Sequence, residues 1–312
     1  MIQSNTIQTG PVPWAIWHST REQFAGYSLG FPNSWLANRP SWLPNAADFQ
    51  APFPEGDAWF IRPVGKRVVL GLFACEGNEV KCYLFVPTQR QFLDAGSFAP
   101  GWLEGLKTLL ISGELAFAKT DLNLKINPPV TSAKELGQIL ANQDLASLLG
   151  GAQAMVDQAR VVVASPKPET GQIMNLLPFV PHTRRAELAL TSWWPRDTQT
   201  WDIRVGPADS IPTDSSLWHW QGIADYPVGK YESALHEAIS LGNDLAVSNL
   251  LGRASRDAML RLGMVMIVVL VLGQLFAAAF GWRPAALKGP VNQRAPIQGE
   301  KPAPFMDMEP SP

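Results

Sequence analysis

The residues Gly26-Tyr27-Ser28-Leu29-Gly30 match G-x-S-x-G, the pattern of the nucleophile elbow in serine hydrolases. That chemistry needs a serine on a tight strand-to-helix turn, with an oxyanion hole beside it. Here Ser19 and Glu22 match a capping box, which predicts a helix over residues 19–25 instead of a strand. No glycine-rich segment that would supply an oxyanion hole precedes the pattern. Ser28 is therefore kept only as the nucleophile of an alternative, enzymatic function.

Metal and phosphate patterns are incomplete. The four histidines are scattered along the chain: His18, His182, His219 and His236. His236-Glu237 begins the zinc pattern H-E-x-x-H, but a serine stands where the second histidine is needed. Neither G-x-x-x-x-G-K-[ST] nor G-x-G-x-x-G occurs. We expect no metal site and no bound cofactor.

The two cysteines lie on a predicted hairpin over residues 67–87 that turns at residues 76–79. This register places Cys75 opposite Val80 and Cys82 opposite Phe73, so the cysteines are diagonal neighbours roughly 7–8 Å apart. A disulfide would not close over that distance without distortion. We expect two buried free thiols, on a hairpin in the middle of a sheet because both of its faces are apolar.

The chain is rich in tryptophan, with 12 in total. Such side chains either fill a core or form an aromatic platform for a sugar or a proline-rich peptide. Trp193 and Trp194 are adjacent on a predicted strand and would point to opposite faces. We expect at least one of the two to be exposed.

Strands are predicted early and late in the chain, with helices between them. Residues 186–194 and 200–205 look like a second hairpin, and Ser132 begins a helix that Gly150-Gly151 would end. A helical pattern starts near residue 230, with a weak point at Gly242. The order predicts an α+β domain with a mixed or antiparallel sheet.

Residues 262–282 contain no charged side chain and lie between Arg261 and Arg283. As a helix this stretch would reach about 30 Å, the thickness of the hydrocarbon core of a bilayer. Trp282 and the flanking arginines are suited to the membrane interface. We therefore expect one C-terminal transmembrane helix, with the lipid bilayer as a partner.

Small residues within that stretch suggest that it self-associates. Gly273, Ala277 and Gly281 recur every four residues on one helical face, with Gln274 beside them. This spacing allows two helices in lipid to approach closely, and an amide can bond between them. We expect a homodimer through the transmembrane helix.

The charge of the chain and its N-terminal residues indicate which partners and which compartment to expect. The net charge is −2, and no basic face that would suit nucleic acid is evident. The adjacent pair Arg184-Arg185 reads as a solvated turn. The first 20 residues do not resemble a signal peptide, so we expect a single-pass membrane protein with its N-terminal domain in the cytoplasm.

These observations give the following division: a loose N-terminus (1–12), a cytoplasmic α+β domain (13–229, with a sub-boundary allowed near 120–155), an amphipathic helical segment (230–261), the transmembrane helix (262–282) and a disordered, proline-rich tail (283–312). The function expected is a membrane-anchored, non-catalytic binding or adaptor module that holds a protein partner at the membrane. The alternatives are a membrane-tethered serine hydrolase using Ser28 and a structural subunit of a membrane complex.

Overall fold

The structure is a computed structural model. It describes residues 6–44, 58–76, 79–112, 119–127, 132–196, 200–252, 264 and 266–274. The chain divides into two compact units, Met1–Met259 and Leu260–Pro312. The proline-rich tail over 283–312 lies outside the described residues.

The first unit is an α+β fold built on a large mixed sheet. The strands are β1 (Ile7–Gln8), β2 (Trp14–His18), β3 (Gln23–Tyr27), β4 (Trp59–Val64), β5 (Arg67–Glu76), β6 (Glu79–Phe85), β7 (Lys125–Ile126), β8 (Arg160–Ala164), β9 (Leu190–Thr191), β10 (Ile203–Gly206) and β11 (Leu217–His219). Nine of them form one sheet in the order β11-β8-β10-β9-β4-β5-β6-β2-β3, and β1 pairs with β7 separately. The run from β4 to β3 is antiparallel, and the run from β9 to β11 is parallel.

The helices come mostly from the middle and the end of this unit. They are α1 (Asn33–Ala37), α2 (Gln89–Asp94), α3 (Ala99–Ser112), α4 (Ala133–Asn142), α5 (Leu145–Val156), α6 (Gly171–Leu176), α7 (His182–Arg185), α8 (Lys230–Ser240) and α9 (Asp244–Leu251). The predicted start at Ser132 is confirmed, since its hydroxyl accepts from the Glu135 N–H. The break at Gly242 is also confirmed, because that residue has a φ of +65° between α8 and α9.

The first hairpin has the predicted register. Cys75 pairs with Val80 and Phe73 pairs with Cys82, and β5 and β6 lie inside the sheet. Both cysteines are free, but only Cys82 is buried. The prediction of two buried thiols is therefore wrong for Cys75.

The helix predicted over residues 19–25 is absent. Ser19 bonds to β6 instead of capping a helix, because its N–H and its hydroxyl both donate to the Val80 carbonyl, at 3.0 and 2.7 Å. Glu22 then turns the chain with a φ of +52°, and Gln23–Tyr27 pairs with β2. The elbow-like pattern is thus approached by a strand.

The second predicted hairpin is also wrong, because β9 and β10 are parallel. The chain comes back to the start of β9 at Asp202, immediately before β10 begins. There the Asp202 N–H donates to the Ala189 carbonyl at 2.7 Å, and an Asp202 carboxylate oxygen accepts from the Ala189 N–H at 2.7 Å. The two strands therefore start at the same end of the sheet.

The prediction of a transmembrane helix over 262–282 is corrected by the structure. In the part of the chain that the structure describes, no helix is both long and apolar enough to cross a bilayer. A membrane span requires a segment without charged residues, but the absence of charge does not establish that the segment forms a helix long enough to cross a bilayer.

Gly150 and Gly151 do not end a helix, but lie within α5. A Cβ at Gly150 would approach the Ile223 carbonyl oxygen more closely than any ordinary van der Waals contact. The glycine therefore allows the 3₁₀ turn Trp220–Asp225 to pack directly on the backbone of α5.

We predict that Gly150→Ala lowers the free energy of unfolding by about 1–3 kcal/mol, because the added methyl group forces this turn away. Helix propensity alone would favour alanine by about 1 kcal/mol. Gly171→Ala is the control, since nothing lies within 4 Å of a Cβ there. Urea denaturation of both variants measures the difference, and equal stabilities would contradict the close packing.

Candidate functional site

Ser28 lies just after β3 and is buried, with 1% of its surface exposed. Its hydroxyl donates to an Asp121 carboxylate oxygen at 2.6 Å and accepts from the Trp14 N–H at 3.1 Å. Its own backbone N–H donates to the Trp14 carbonyl at 2.9 Å. The hydrogen bonds of Ser28 therefore join the end of β3 to β2 and to the segment 119–122.

Asp121 also explains the last glycine of the pattern. The same carboxylate oxygen accepts from the Gly30 N–H at 3.0 Å. A Cβ at Gly30 would overlap the carboxylate group, so a larger residue would push Asp121 away. The Leu29 N–H, which donates to the Lys119 carbonyl at 3.2 Å, adds a further bond to this segment.

The histidines are not arranged to activate Ser28. His18 lies 3.4 Å from Glu79, His182 is in α7, His219 is on β11 and His236 is in α8. In the described ranges, Ser28 is hydrogen-bonded by Asp121 and Trp14 and by no histidine. Among the described residues, the Ser28 hydroxyl therefore has a carboxylate partner but not the histidine of a Ser-His pair.

Among the described residues, the cysteines and the acidic side chains form no reactive or metal-binding group. Burial raises the pKa of the Cys82 thiol well above its ordinary value, and partial burial raises the pKa of Cys75. Both shifts favour the thiol over the nucleophilic thiolate. Across the described residues there is no cluster of three His, Cys, Asp or Glu side chains that could hold a metal ion.

The tryptophans lie mostly in the core. Trp193 and Trp194 are 5% and 0% exposed, so the prediction that one of them reaches solvent is wrong. Trp194 and Trp201 pack edge-on against Phe60, with ring centroids 6.0 and 6.1 Å from it. The aromatic platform suggested by composition is not present at this pair.

Next to Ser28 the described fold presents the edge of a strand to solvent. β3 is the last strand of the nine-stranded sheet and pairs only with β2 among the described strands. Gln23, Ala25 and Tyr27 are exposed, while Phe24 and Gly26 are half-buried. We call the strand Gln23–Tyr27 together with Leu29 the β3 edge.

Two large apolar side chains project from the β3 edge. Tyr27 is 52% exposed and Leu29 is 85% exposed. The strand itself contains no charged residue and no proline. Charged residues lie at both of its ends: Arg39 bonds Glu22 at 2.6 Å and Arg21 pairs with Glu79 at the beginning, and Asp121 and Lys119 bond the residues that follow Tyr27.

The backbone of Tyr27 points away from the sheet. Ser28 directs its N–H to Trp14 of β2, and alternate residues of an antiparallel strand direct their backbone groups to opposite sides. The Tyr27 N–H and C=O therefore face outward.

Sequence reasoning missed this edge because residues 19–25 were predicted to form a helix. The aromatic residues of Gln-Phe-Ala-Gly-Tyr were a signal for a strand.

Of the residues predicted to pack in a membrane, Gly273 and Gln274 fall in the described helical stretch 266–274. Others lie outside the described residues: Arg261, Ala277, Gly281, Trp282 and Arg283. The predicted homodimer through this segment, and the location of the large domain in the cytoplasm, stay untested predictions.

Comparisons with protein-family models and with characterised proteins each found no match for this chain.

We predict that Ser28→Ala lowers the free energy of unfolding by about 1–3 kcal/mol, because it removes one of the two hydrogen bonds to Asp121 described above and takes the hydroxyl acceptor from the buried Trp14 N–H. Ser34→Ala on the exposed side of α1 is the control. Thermal or urea denaturation measures the loss in the free energy of unfolding.

A fluorophosphonate probe should leave Ser28 unmodified, and specific labelling at this residue would contradict its structural role.

Proposed function

We propose that the protein is a non-catalytic binding module, and that it takes an extended segment of a protein partner as an added strand at the β3 edge. The observation that carries the proposal is the outward backbone of an uncharged strand at the end of a large sheet. Addition of a strand to a sheet edge is a recurrent mode of peptide recognition.

Sheet edges are normally protected from other chains by lysines, prolines, short strands or bulges. The β3 edge has neither charge nor proline, but its register shifts opposite Ile16 and Trp17. A bulge of this kind increases the local twist and shortens the straight part of the ladder. This favours a short peptide segment over open-ended stacking of strands.

Tyr27 and Leu29 would supply the side-chain contacts. Both are apolar, exposed and two residues apart. Tyrosine is enriched among the residues that dominate binding energy in protein interfaces. The segment recognised would therefore carry apolar side chains at alternate positions, and its affinity would depend weakly on salt because the β3 edge is uncharged.

The other functions expected from sequence receive less support. The hydrolase alternative needs Ser28 as a nucleophile, whereas Ser28 is committed to Asp121 and Trp14. Anchoring at a membrane and the role of a structural subunit in a membrane complex both require a transmembrane helix, and no helix among the described residues is long and apolar enough to be one.

The test is selection of phage-displayed random dodecapeptides on the full-length protein. Tyr27→Pro removes the outward N–H but leaves the bonds to β2, since proline is tolerated on an edge with its nitrogen facing out. We predict enriched peptides with alternating apolar residues, and at least tenfold weaker binding to Tyr27→Pro. Tyr27→Ala separates the side chain from the backbone and should weaken binding less.

Leu241→Ala is the matched control, because Leu241 is also apolar and 72% exposed but lies between α8 and α9. It should bind the peptides as the unmodified protein does. Peptides that bind Tyr27→Pro with undiminished affinity would contradict the proposal. Light scattering provides a second check: a dimer that Tyr27→Pro dissociates would make a second copy of this chain the occupant, and would overturn the proposal of a different partner.

A further inference from the structure

The adjacent arginines of α7 are both buried, contrary to the solvated turn that the sequence suggested. Arg184 and Arg185 are 8% and 2% exposed. Arg184 is balanced by acidic groups, with Nη2 at 3.0 Å from Asp202 and Nη1 at 3.7 Å from Glu187. Its Nε donates to the Met155 carbonyl at 2.8 Å.

Arg185 is held differently. Its Nε donates to the Val180 carbonyl at 2.7 Å, and its Nη1 donates to the Gly96 carbonyl at 3.4 Å. Its Nη2 is buried and bonds to no acceptor among the described residues. The guanidinium is thus met by carbonyl groups and, in the described ranges, by no carboxylate.

Two further polar atoms with unmet bonding capacity belong to neighbouring residues. Ser97 follows Gly96, which contacts the guanidinium, and its hydroxyl is buried without a partner in the described part of the chain. His182 lies one helical turn before Arg185, and its Nε2 is likewise buried and unpartnered there. Burial and the charge of Arg185 lower the pKa of His182 to about 4, so its ring is neutral near pH 7.

The backbone is strained where it meets the arginine. Gly96 and Ser97 have φ values of +76° and +51°, and the second is unusual for a residue with a side chain. The Ser97 N–H donates to the Phe92 carbonyl at 2.8 Å, which keeps the turn in this conformation. This conformation directs the Gly96 carbonyl to Arg185 and places Ser97 next to that contact in the chain.

A buried cation normally has a charged partner, because carbonyl dipoles replace only part of its lost hydration. Buried polar atoms likewise normally have hydrogen-bond partners, and an exception points to a bound water or ion. Such atoms occur on three residues that are linked in the fold, since Ser97 adjoins Gly96, whose carbonyl accepts from Arg185, and His182 precedes Arg185 by one helical turn. The guanidinium gives this place a positive charge.

We infer that Arg185, Ser97 and His182 bind a small monovalent anion, of the chloride class, inside the fold. The Arg185 Nη2 and the Ser97 hydroxyl donate to it, and the His182 Nε2–H tautomer supplies a third donor. An anion balances the guanidinium, which a water molecule at the same place would not do. Because Ser97 and Arg185 are almost completely buried, the ligand is small and the site contributes to stability.

The test compares the melting temperature of the full-length protein in chloride and in gluconate at equal ionic strength and pH. Gluconate is too large for a closed site. An anion that binds only the folded state raises the melting temperature with a saturable dependence on its concentration. We predict a rise of a few degrees in chloride.

Ser97→Gly removes one donor and also relieves the positive φ, so it should fold as well as the unmodified protein while its rise in chloride is reduced. Gln158→Gly is the matched control, since Gln158 also has a positive φ of +63° but is exposed. Its rise should equal that of the unmodified protein. Arg185→Met should abolish the rise, and if it does not fold, the Ser97→Gly comparison still decides.

Crystals grown with bromide in place of chloride give an independent readout. We expect an anomalous peak within about 3.5 Å of the Arg185 Nη2 atom. Equal melting temperatures in the two anions would overturn the inference. It would also be overturned by a rise that Ser97→Gly leaves unchanged, or by a bromide-soaked crystal with a water and no anomalous peak at this position.

Discussion

The pairing of β4 with β9 joins the antiparallel and the parallel parts of the sheet. Phe60 pairs with Thr191 and Ile61 pairs with Leu190. At the same point the Trp59 N–H donates to the Ser192 hydroxyl at 2.9 Å, and the Ser192 N–H donates to the Trp59 carbonyl at 2.9 Å. Thr191 and Ser192 are completely buried, so these bonds are obligatory. Without them the two runs of strands would each present an unpaired apolar edge.

The aromatic core is concentrated at this junction. Phe60 of β4 contacts Phe73 of β5 with a centroid distance of 5.6 Å, and Trp194, just after β9, lies 6.0 Å away. These rings come from both parts of the sheet. The junction therefore joins the two parts into a single sheet, and the β3 edge is the antiparallel end of that sheet. Under the proposed function, an edge strand held in such a sheet would be preorganised for binding, which would reduce the entropy cost of association.

Local chemistry accounts for the parts of the fold that could be predicted. The hairpin register at Cys75 and Val80, the cap at Ser132 and the break at Gly242 each follow from a few adjacent residues. The predictions were wrong where a residue that is distant in sequence determines the local structure. Ser19 bonds to β6 instead of a helix, and Asp202 reaches back to Ala189 and makes two strands parallel.

The candidate sites were harder to predict for the same reason. The elbow-like pattern drew attention to Ser28, but its role depends on Asp121, which lies far away in sequence. The burial of Arg185 depends on the Val180 and Gly96 carbonyls, which a basic dipeptide does not reveal. The apolar stretch over 262–282 satisfied the length rule for a membrane span, whereas no helix among the described residues is long and apolar enough to cross a bilayer.

The central claim is that the backbone of β3 is available on its outer side, and amide hydrogen exchange measured residue by residue by NMR tests it most directly. The Ser28 amide, bonded to Trp14 at 2.9 Å, should be strongly protected. The adjacent Tyr27 amide should exchange at least a hundredfold faster, because it faces outward. Protection of Tyr27 equal to that of Ser28 would show that the edge is already covered, and would contradict the account.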